Sequence, residues 1–449
     1  MKNGGIVLCL VGLIVVLLGC GESERPRLTA LFVSDMGYSE ADIRALTSAF
    51  QKEHRQIEVS AFFVPYESQR NAILMFGASR AQGYDVVALD GAWTAEFVEG
   101  DFLCQVPPSA LERGWPGPVQ GARADRRAPV DVTNRLHNEP TSDIFPFAME
   151  AFTQSGKRYA MPWVTDCEYL FFNRKMLNAA GVNSPPRTWE ELRAQAKTIK
   201  DKGIVTYPII AQWGHDDDVV CDFACMLFAR GGEFLNSKGQ PAFAEASGVE
   251  SLGFMKKLLD EGLVNPASLE ARSDDARRIL CEGQAAFNLN WFYVWDLAND
   301  PKLSKVAGQL EMTLAPGGKN TRSASVNRSI GLGVMASSQM PDIAWEYCRF
   351  IGSKENQKKY CRITLPAYRS LYDDAALSGT PLGVAYKTAK EQYDYVHARP
   401  GVFYYRKISM TLQDEIEEAL EGKKEPAVAL AAAAVKLKDA AKDKPGYRR

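Results

Sequence analysis

The sequence is poor in the residues and motifs that most often carry chemistry. Its 449 residues include only four histidines, His54, His137, His215 and His397, each in an unrelated context. There is no GxxxxGK[ST], HExxH or GxSxG, which removes the usual phosphate cradle, zinc-peptidase helix and hydrolase nucleophile turn. A strong charge of one sign is also missing. Lys and Arg number 53 against 55 Asp and Glu, a net charge of −2, so nothing draws the chain to nucleic acid. The short Arg123, Arg126, Arg127 cluster reads as a solvated loop. Asp216-Asp217-Asp218 lacks the alternating ligand spacing of a calcium loop and reads as a solvated loop or a helix start. No metal and no cofactor is expected. A glycosidase needs only two carboxylates, but no pair stands out among the acids. There is no internal repeat. After the first twenty residues no apolar run is long enough to span a bilayer.

What is present is globular composition: 46% hydrophobic and 24% charged residues, enough for one large or two medium domains. The first twenty residues stand apart. Lys2 precedes an apolar run, Ile6 to Leu18, that ends in "LLGC", Leu17 to Cys20. A small residue before a cysteine straight after such a run resembles a bacterial lipobox, in which the cysteine is lipidated and becomes the new N-terminus. That resemblance implies a signal peptide over 1–19, lipidation (palmitate) at Cys20 and a tether over 20–27. An uncleaved apolar anchor is the alternative. Either way an exported body is tied to a membrane surface, periplasmic or on the outer face of the cytoplasmic membrane. Nine cysteines less Cys9 and Cys20 leave seven, an odd number, so at least one is free or pairs between chains. Cys221 and Cys225, four apart on a helical segment, suit neither a disulfide nor a metal site.

The pattern alternates. "LTALFV" (28–33), "IEVSAFFV" (57–64) and "DVVALD" (85–90) read as strands, with helices after Ser39 and across 72–81. Strand and helix in alternation argue for a parallel α/β sheet. Residues 105–145 are Pro- and Arg-rich and aperiodic, as in a long insertion. Further on, Thr188 and Glu191 form a capping box before an amphipathic helix ending at Gly203. "YPIIAQW" (207–213) and "AAFNLN" (285–290) read as strands, with helices over 218–229 and 249–262. "IGLGVMA" is a strand, and Pro341 opens a helix to Ile351.

In open α/β sheets ligands bind beyond the carboxyl ends of strands. Asp90 with Trp93, Trp213, and Asn290 with Trp291 all fall at such ends, and Trp163 follows "YAMP" in the same way. A single tryptophan is more often core packing. Several beside polar groups suit a sugar, whose C–H faces lie on indole planes and whose hydroxyls need fixed, preferably charged, partners.

Taken in order, "DVVALDGAWTAEFVEGDFL", "GKRYAMPWVTDCEYLFFNRKMLNAAGVNSPPRTWEEL", "CEGQAAFNLNW", "IGLGVMASS" with "AWEYCRFIGSKENQKKY", and "LPAYRSLYDD" resemble the family 1 extracellular solute-binding proteins of ABC sugar importers, most of all the trehalose/maltose-binding branch. The resemblance runs from Leu28 to about Ala441. It implies a type II periplasmic-binding-protein fold: two α/β lobes joined by hinge strands, with ligand in the cleft. Crossings near Phe172–Arg174, Leu314–Pro316 and Thr364–Ala367 would give lobe one 28–173 plus 315–365 and lobe two 174–314 plus 366–445. The implied ligand-binding set is Asp90, Trp93, Trp163, Asp166, Asn290, Trp291 and Arg369, with Arg70 and Trp213 added. Gly91 and Ala92 stand where this branch often carries bulkier residues, so the site could be reshaped. The implied partners are a di- or small oligosaccharide, the transmembrane permease subunits, and the membrane through the N-terminal lipid, for a monomer with no catalytic residue. Three alternatives remain: a phosphorylated polyol or phosphodiester held by Arg70, Arg369 and the Arg123–Arg127 group; a secreted carbohydrate-active enzyme; and ferric ion at Tyr404-Tyr405.

Overall fold

A computed structural model describes residues 25–34, 38–81, 83–108, 143–360, 364–377 and 379–442. The lipobox-like stretch with Cys20, the Arg123–Arg127 cluster and most of the 105–145 insertion lie outside the described residues.

The first sheet grows from the apolar runs read in the sequence. Strands β1 (Arg27–Val33), β2 (Glu58–Val64) and β3 (Val86–Asp90) are parallel, with Arg27 to Val33 in register with Glu58 to Val64. The helices between them, Glu40–Glu53 and Tyr66–Ser79, carry them over one face each. Ser39 caps the first, its Oγ accepting from the Asp42 N–H at 3.1 Å, which satisfies one of the orphan donors of the first turn. A short hairpin, β4 (Thr153–Gln154) and β5 (Lys157–Arg158), precedes β6 (Ala160–Thr165), and two later strands, β11 (Ile330–Val334) and β12 (Leu365–Pro366), complete the sheet. The order is β12-β6-β11-β3-β1-β2, with β11 antiparallel to both neighbours. β12 at the edge is antiparallel to β6, so two strands run against the other four. β3 and most of β1 are buried on both faces, which is why those runs are almost continuously apolar, whereas the edge strand β2 is only partly buried. One face packs Leu28, Phe32, Trp163 and Leu332; the other packs Leu31, Val87, Leu89 and Phe152.

The second sheet is β8-β7-β9: β7 (Glu168–Asn173), β8 (Phe287–Trp291) and β9 (Leu310–Thr313), all antiparallel. Helices Trp189–Asp201, Asp217–Ala229, Ala246–Asp260, Tyr405–Leu420 and Pro426–Leu437 pack around it in one continuous apolar cluster. Thr188 caps the first of these by accepting from Glu191 N–H. The return bond of the expected capping box goes instead from Arg187 N–H to Glu191 Oε2. "YPIIAQW" does not form a strand. It makes parallel bridges at Ile209 alone, to Val264 and Phe287. Pro208 has no N–H, and its carbonyl accepts from Ala286 and Phe287, so the ladder stops where a donor is lacking.

Three segments join the sheets. The first passes from β6 to β7 at Asp166–Cys167, upstream of the expected Phe172–Arg174, because β7 is already paired into the second sheet. The second leaves β9 and returns through β10 (Ser325–Val326) to β11; the third leaves β12 and reaches β13 (Val396–His397), which runs parallel to β10. They are bonded to one another. The Ser325 hydroxyl donates to the Glu168 carbonyl, Arg328 N–H to the Asp166 carbonyl and Asn327 N–H to the His397 carbonyl, at 2.8–2.9 Å.

Candidate functional site

Each lobe delivers charged groups to the place where the three segments meet. From the first sheet, Asp90 ends β3. Its Oδ1 accepts from Ala92 N–H at 2.9 Å, capping the 3-10 turn Gly91–Trp93. From the second, Asp216 caps helix Asp217–Ala229, its Oδ1 accepting from Asp218 N–H. The cap turns Asp217 and Asp218 inward, where both are buried. Two arginines on the connecting segments face them, Arg328 just before β11 and Arg399 just after β13, again buried.

Arg399 bridges the lobes. One guanidinium nitrogen donates to Asp90 Oδ1 and the other to Asp217 Oδ2 at 2.9 Å, while Nε donates to the Asn327 carbonyl. Arg328 Nη1 donates to Asp218 Oδ1 at 2.7 Å. Tyr66 OH donates to Asp90 Oδ2 at 2.7 Å, Tyr405 OH and Ser409 Oγ to Asp217 Oδ1, and Trp291 Nε1 to Asp218 Oδ1 at 3.2 Å. Burial alone would raise the Asp217 carboxyl, but Arg399, Ser409 and Arg328 hold it below the usual carboxylate range. Burial works against both guanidinium charges, and the surrounding acids outweigh it. Buried charges are tolerable only when paired and hydrogen-bonded in this way.

Beside this network lies a cavity of about 300 Å³ between the lobes. Tyr66, Arg70, Asn71 and Trp93 line it from the first lobe. His215, Asp217, Arg272, Tyr405, Ser409 and Gln413 are among its residues from the second. Aromatic faces with a few fixed polar groups are ordinary small-ligand architecture.

The residues expected at the site separate into three groups. Asp90, Trp93, Trp291 and Arg70 do stand at the lobe boundary, in altered roles. Asp90 has both oxygens engaged by the chain itself. Trp93 packs on Tyr66 with ring centroids 5.0 Å apart, and Arg70 is paired with Glu96. Trp291 faces a guanidinium. Asp166 and Asn290 lie behind the boundary. Asp166 Oδ1 accepts from Cys167 and Phe292 N–H, and burial pushes its carboxyl up to about 7. Asn290 is spent on the Ser273 carbonyl, Asn288 and the Trp291 amide. Trp163, Trp213 and Arg369 are elsewhere. Trp163 stacks on Tyr38 at 4.5 Å and abuts Phe32 in the first core. Trp213 is in the second core with Nε1 on Asp222 Oδ2. Arg369 is exposed over the Phe145 ring. Gly91 does not enlarge the site: a Cβ there would meet the Ala151 Cβ at 2.7 Å, so glycine is needed for that close approach.

Tyr66, Asp217, Asp218, Arg328, Arg399 and Ser409 were not anticipated as site residues. The "DDD" run carried a partial signal, since it is a helix start. Nothing in "VNRS" or "HARP" marks an arginine destined for burial. Tyr405 belongs to the tyrosine pair, but its hydroxyl is bound to Asp217. No cluster of three or more metal-ligating side chains occurs among the described residues.

Behind Trp291 lies a second acidic group. Gln212 Nε2 donates to Glu168 Oε1 at 2.6 Å and to Asp222 Oδ1 at 3.0 Å, and the Cys225 thiol donates to Glu168 Oε2. Burial, then the neighbouring Asp222, raises the Glu168 carboxyl well above its usual range; burial lifts Asp222 to about 7. A raised native value means the folded state holds the proton longer than the unfolded one. Stability from Asp222 is therefore complete below about pH 4 and is lost as pH rises through about 7. Asp222→Asn should flatten the fall of the thermal midpoint between pH 5 and 8. Gln212 Oε1, which has no partner, can turn to accept from the new amide. A variant with the wild-type slope would show that Asp222 is already ionised.

Two α/β sheets joined by three bonded crossings, with a polar and aromatic cavity between them, define the class of two-lobed type II periplasmic binding proteins. The chain belongs to the bacterial extracellular solute-binding protein family, whose model matches residues 36–358. Among sequence relatives, a probable ABC transporter-binding protein of Deinococcus radiodurans is 26% identical over 313 residues, covering 67% of this chain and 73% of its own. Among solved structures, maltose-bound MalE3 of T. maritima superposes with a TM-score of 0.77 at 23% identity, over 92% of this chain and 99% of that one. A solute-binding protein from Agrobacterium radiobacter in complex with ribitol gives 0.75 at 22%, over 93% and 99%. No helix among the described residues is long and apolar enough to cross a membrane.

Proposed function

We propose that this chain is the lipid-anchored, monomeric substrate-binding component of an ABC importer, capturing a small sugar or sugar alcohol between its lobes and presenting it to a membrane permease. The lobes are those assigned from the resemblance, with the first boundary moved to Asp166–Cys167. The observation that carries the reading is the 300 Å³ cavity lined from both lobes by Tyr66, Trp93 and Tyr405 with Asp217, Ser409 and Gln413. A ligand touching both lobes favours their closure. The family and fold are those of solute-binding proteins, and the similar structures named above carry maltose and ribitol. The cavity is at the small end for ligand pockets, which favours a mono- or disaccharide or a polyol over a long oligosaccharide.

A thermal-shift screen decides the ligand class, because whatever binds the folded state raises its midpoint. The panel is maltose, trehalose, tagatose, ribitol, mannitol, glycerophosphodiesters and ferric ion. A neutral sugar or polyol is expected to register. A response to phosphodiesters alone would move the reading to a phosphorylated polyol held by Arg70, Arg272 and Arg406 on the cavity wall. Turnover of a sugar on prolonged incubation would make the protein an enzyme. Asn71 is exposed on the same wall, so Asn71→Ala should leave the unliganded midpoint in place. It should weaken the active sugar about two- to tenfold, the worth of one hydrogen bond. Unchanged affinity would put the ligand elsewhere.

A further inference from the structure

We infer that Arg328 is a built-in occupant of the cleft: its guanidinium fills the slot between an aromatic face of each lobe, holds the lobes together without ligand, and leaves the ligand only the cavity alongside. The last clause rests on the reading of the cavity as a sugar site; the first two do not.

The geometry is that of a bound planar cation. The guanidinium carbon lies 4.6 Å from the ring centroid of Tyr66, the first residue of a first-lobe helix. It lies 4.4 Å from the ring centroid of Trp291, the last residue of a second-lobe strand. Both distances are within cation–π range, where a desolvated guanidinium is held most strongly. Asp218, at the second-lobe helix start, takes both Nη1 of Arg328 and Nε1 of Trp291 on one oxygen. Asp90 Oδ2 stands 3.8 Å from Nε on the first-lobe side. The side chain is therefore held by faces and carboxylates of both lobes at once, as a cleft ligand would be. Its backbone is fixed as well. Arg328 N–H donates to the Asp166 carbonyl, and Asn327 Oδ1 accepts from both the amide and the hydroxyl of Ser329.

Occupancy has consequences for selectivity. Trp291, the second-lobe platform expected to stack on a sugar ring, has that face covered. Asp90, the expected hydroxyl acceptor, is engaged by Tyr66, Arg399 and the Ala92 amide. Tyr66 contacts Arg328 and also lines the cavity, so slot and cavity share a wall. Removing the arginine side chain should open a planar, acid-flanked slot that accepts a free guanidinium.

The test uses the full chain without sugar. Arg328→Ala is expected to show a larger radius of gyration by small-angle scattering than wild type. Methylguanidinium at millimolar concentration should restore the compact form and raise the thermal midpoint of the variant. At ten times its dissociation constant the occupied form outweighs the empty one about tenfold. Methylammonium, of equal charge but not planar, should do neither, and wild type should respond to neither cation. A variant as compact as wild type, or one indifferent to methylguanidinium, overturns the inference. If Arg328→Ala does not fold, Trp291→Leu removes one face while keeping the arginine. It should expand the ligand-free protein, and no expansion is again the overturning result. A wild type that binds no sugar, beside an Arg328→Ala that closes on methylguanidinium, would remove the transport reading and leave this one standing.

Discussion

Arg399→Met is expected to destabilise the protein by about 3–5 kcal/mol, the usual cost of removing one partner from a buried ionic group. The arginine is shared between Asp90 and Asp217. Without it two buried carboxylates, one from each lobe, keep only neutral donors and the more distant charge of Arg328. Methionine fills much of the volume, so the loss reports charge rather than a hole. The midpoint of urea denaturation measures it. The pH dependence adds a second check with a fixed sign. Asp217 is held below its ordinary range in the folded state, so its share of stability is present above about pH 4 and fades as pH falls. The difference between Arg399→Met and wild type should therefore shrink on acidification. A loss under 1 kcal/mol at pH 7, or one independent of pH, would mean that water already enters this network in the folded protein.

Trp163→Ala is expected to cost about 3–5 kcal/mol, the range for truncating a fully packed aromatic, while affinity per folded molecule stays unchanged. The indole stacks on Tyr38 and meets Phe32 edge-on within the first lobe, and it does not line the interlobe cavity. Calorimetric titration on the folded fraction separates the two effects. A fall in affinity with little loss of stability would return Trp163 to the ligand site.

The contrast among the tryptophans explains how far the site could be read from the chain. Trp163, Trp213 and Trp291 all follow apolar runs, a pattern that reads as a strand end in each case, although the stretch before Trp213 forms only isolated bridges. The pattern does not say which face of the sheet the side chain joins. Trp163 turns into the lobe-one core and Trp213 to a buried carboxylate in lobe two, while Trp291 reaches the lobe boundary. Asp90 was legible because an acid at the end of a buried strand has few neutral explanations. Its function was not, because its partner Arg399 lies hundreds of residues away on the third crossing.

The sequence by itself determined the α/β alternation, most strand and helix limits, the absence of catalytic and metal motifs, and through its ordered motifs the two-lobed solute-binding fold. These follow from local periodicity, caps and apolar runs, which act over a few residues. Only the tertiary structure decided that Asp217 and Asp218 are buried rather than solvated, and that Arg328 and Arg399 are buried against them and Asp90 where the lobes meet. It also decided the partners of Asp90 and Trp291 within the chain: Tyr66, Arg399 and the Ala92 amide for the first, the Arg328 guanidinium and Asp218 for the second. Such pairings are set by three crossings that bring distant segments within hydrogen-bonding distance, where desolvation makes each charge depend on partners that no local pattern encodes.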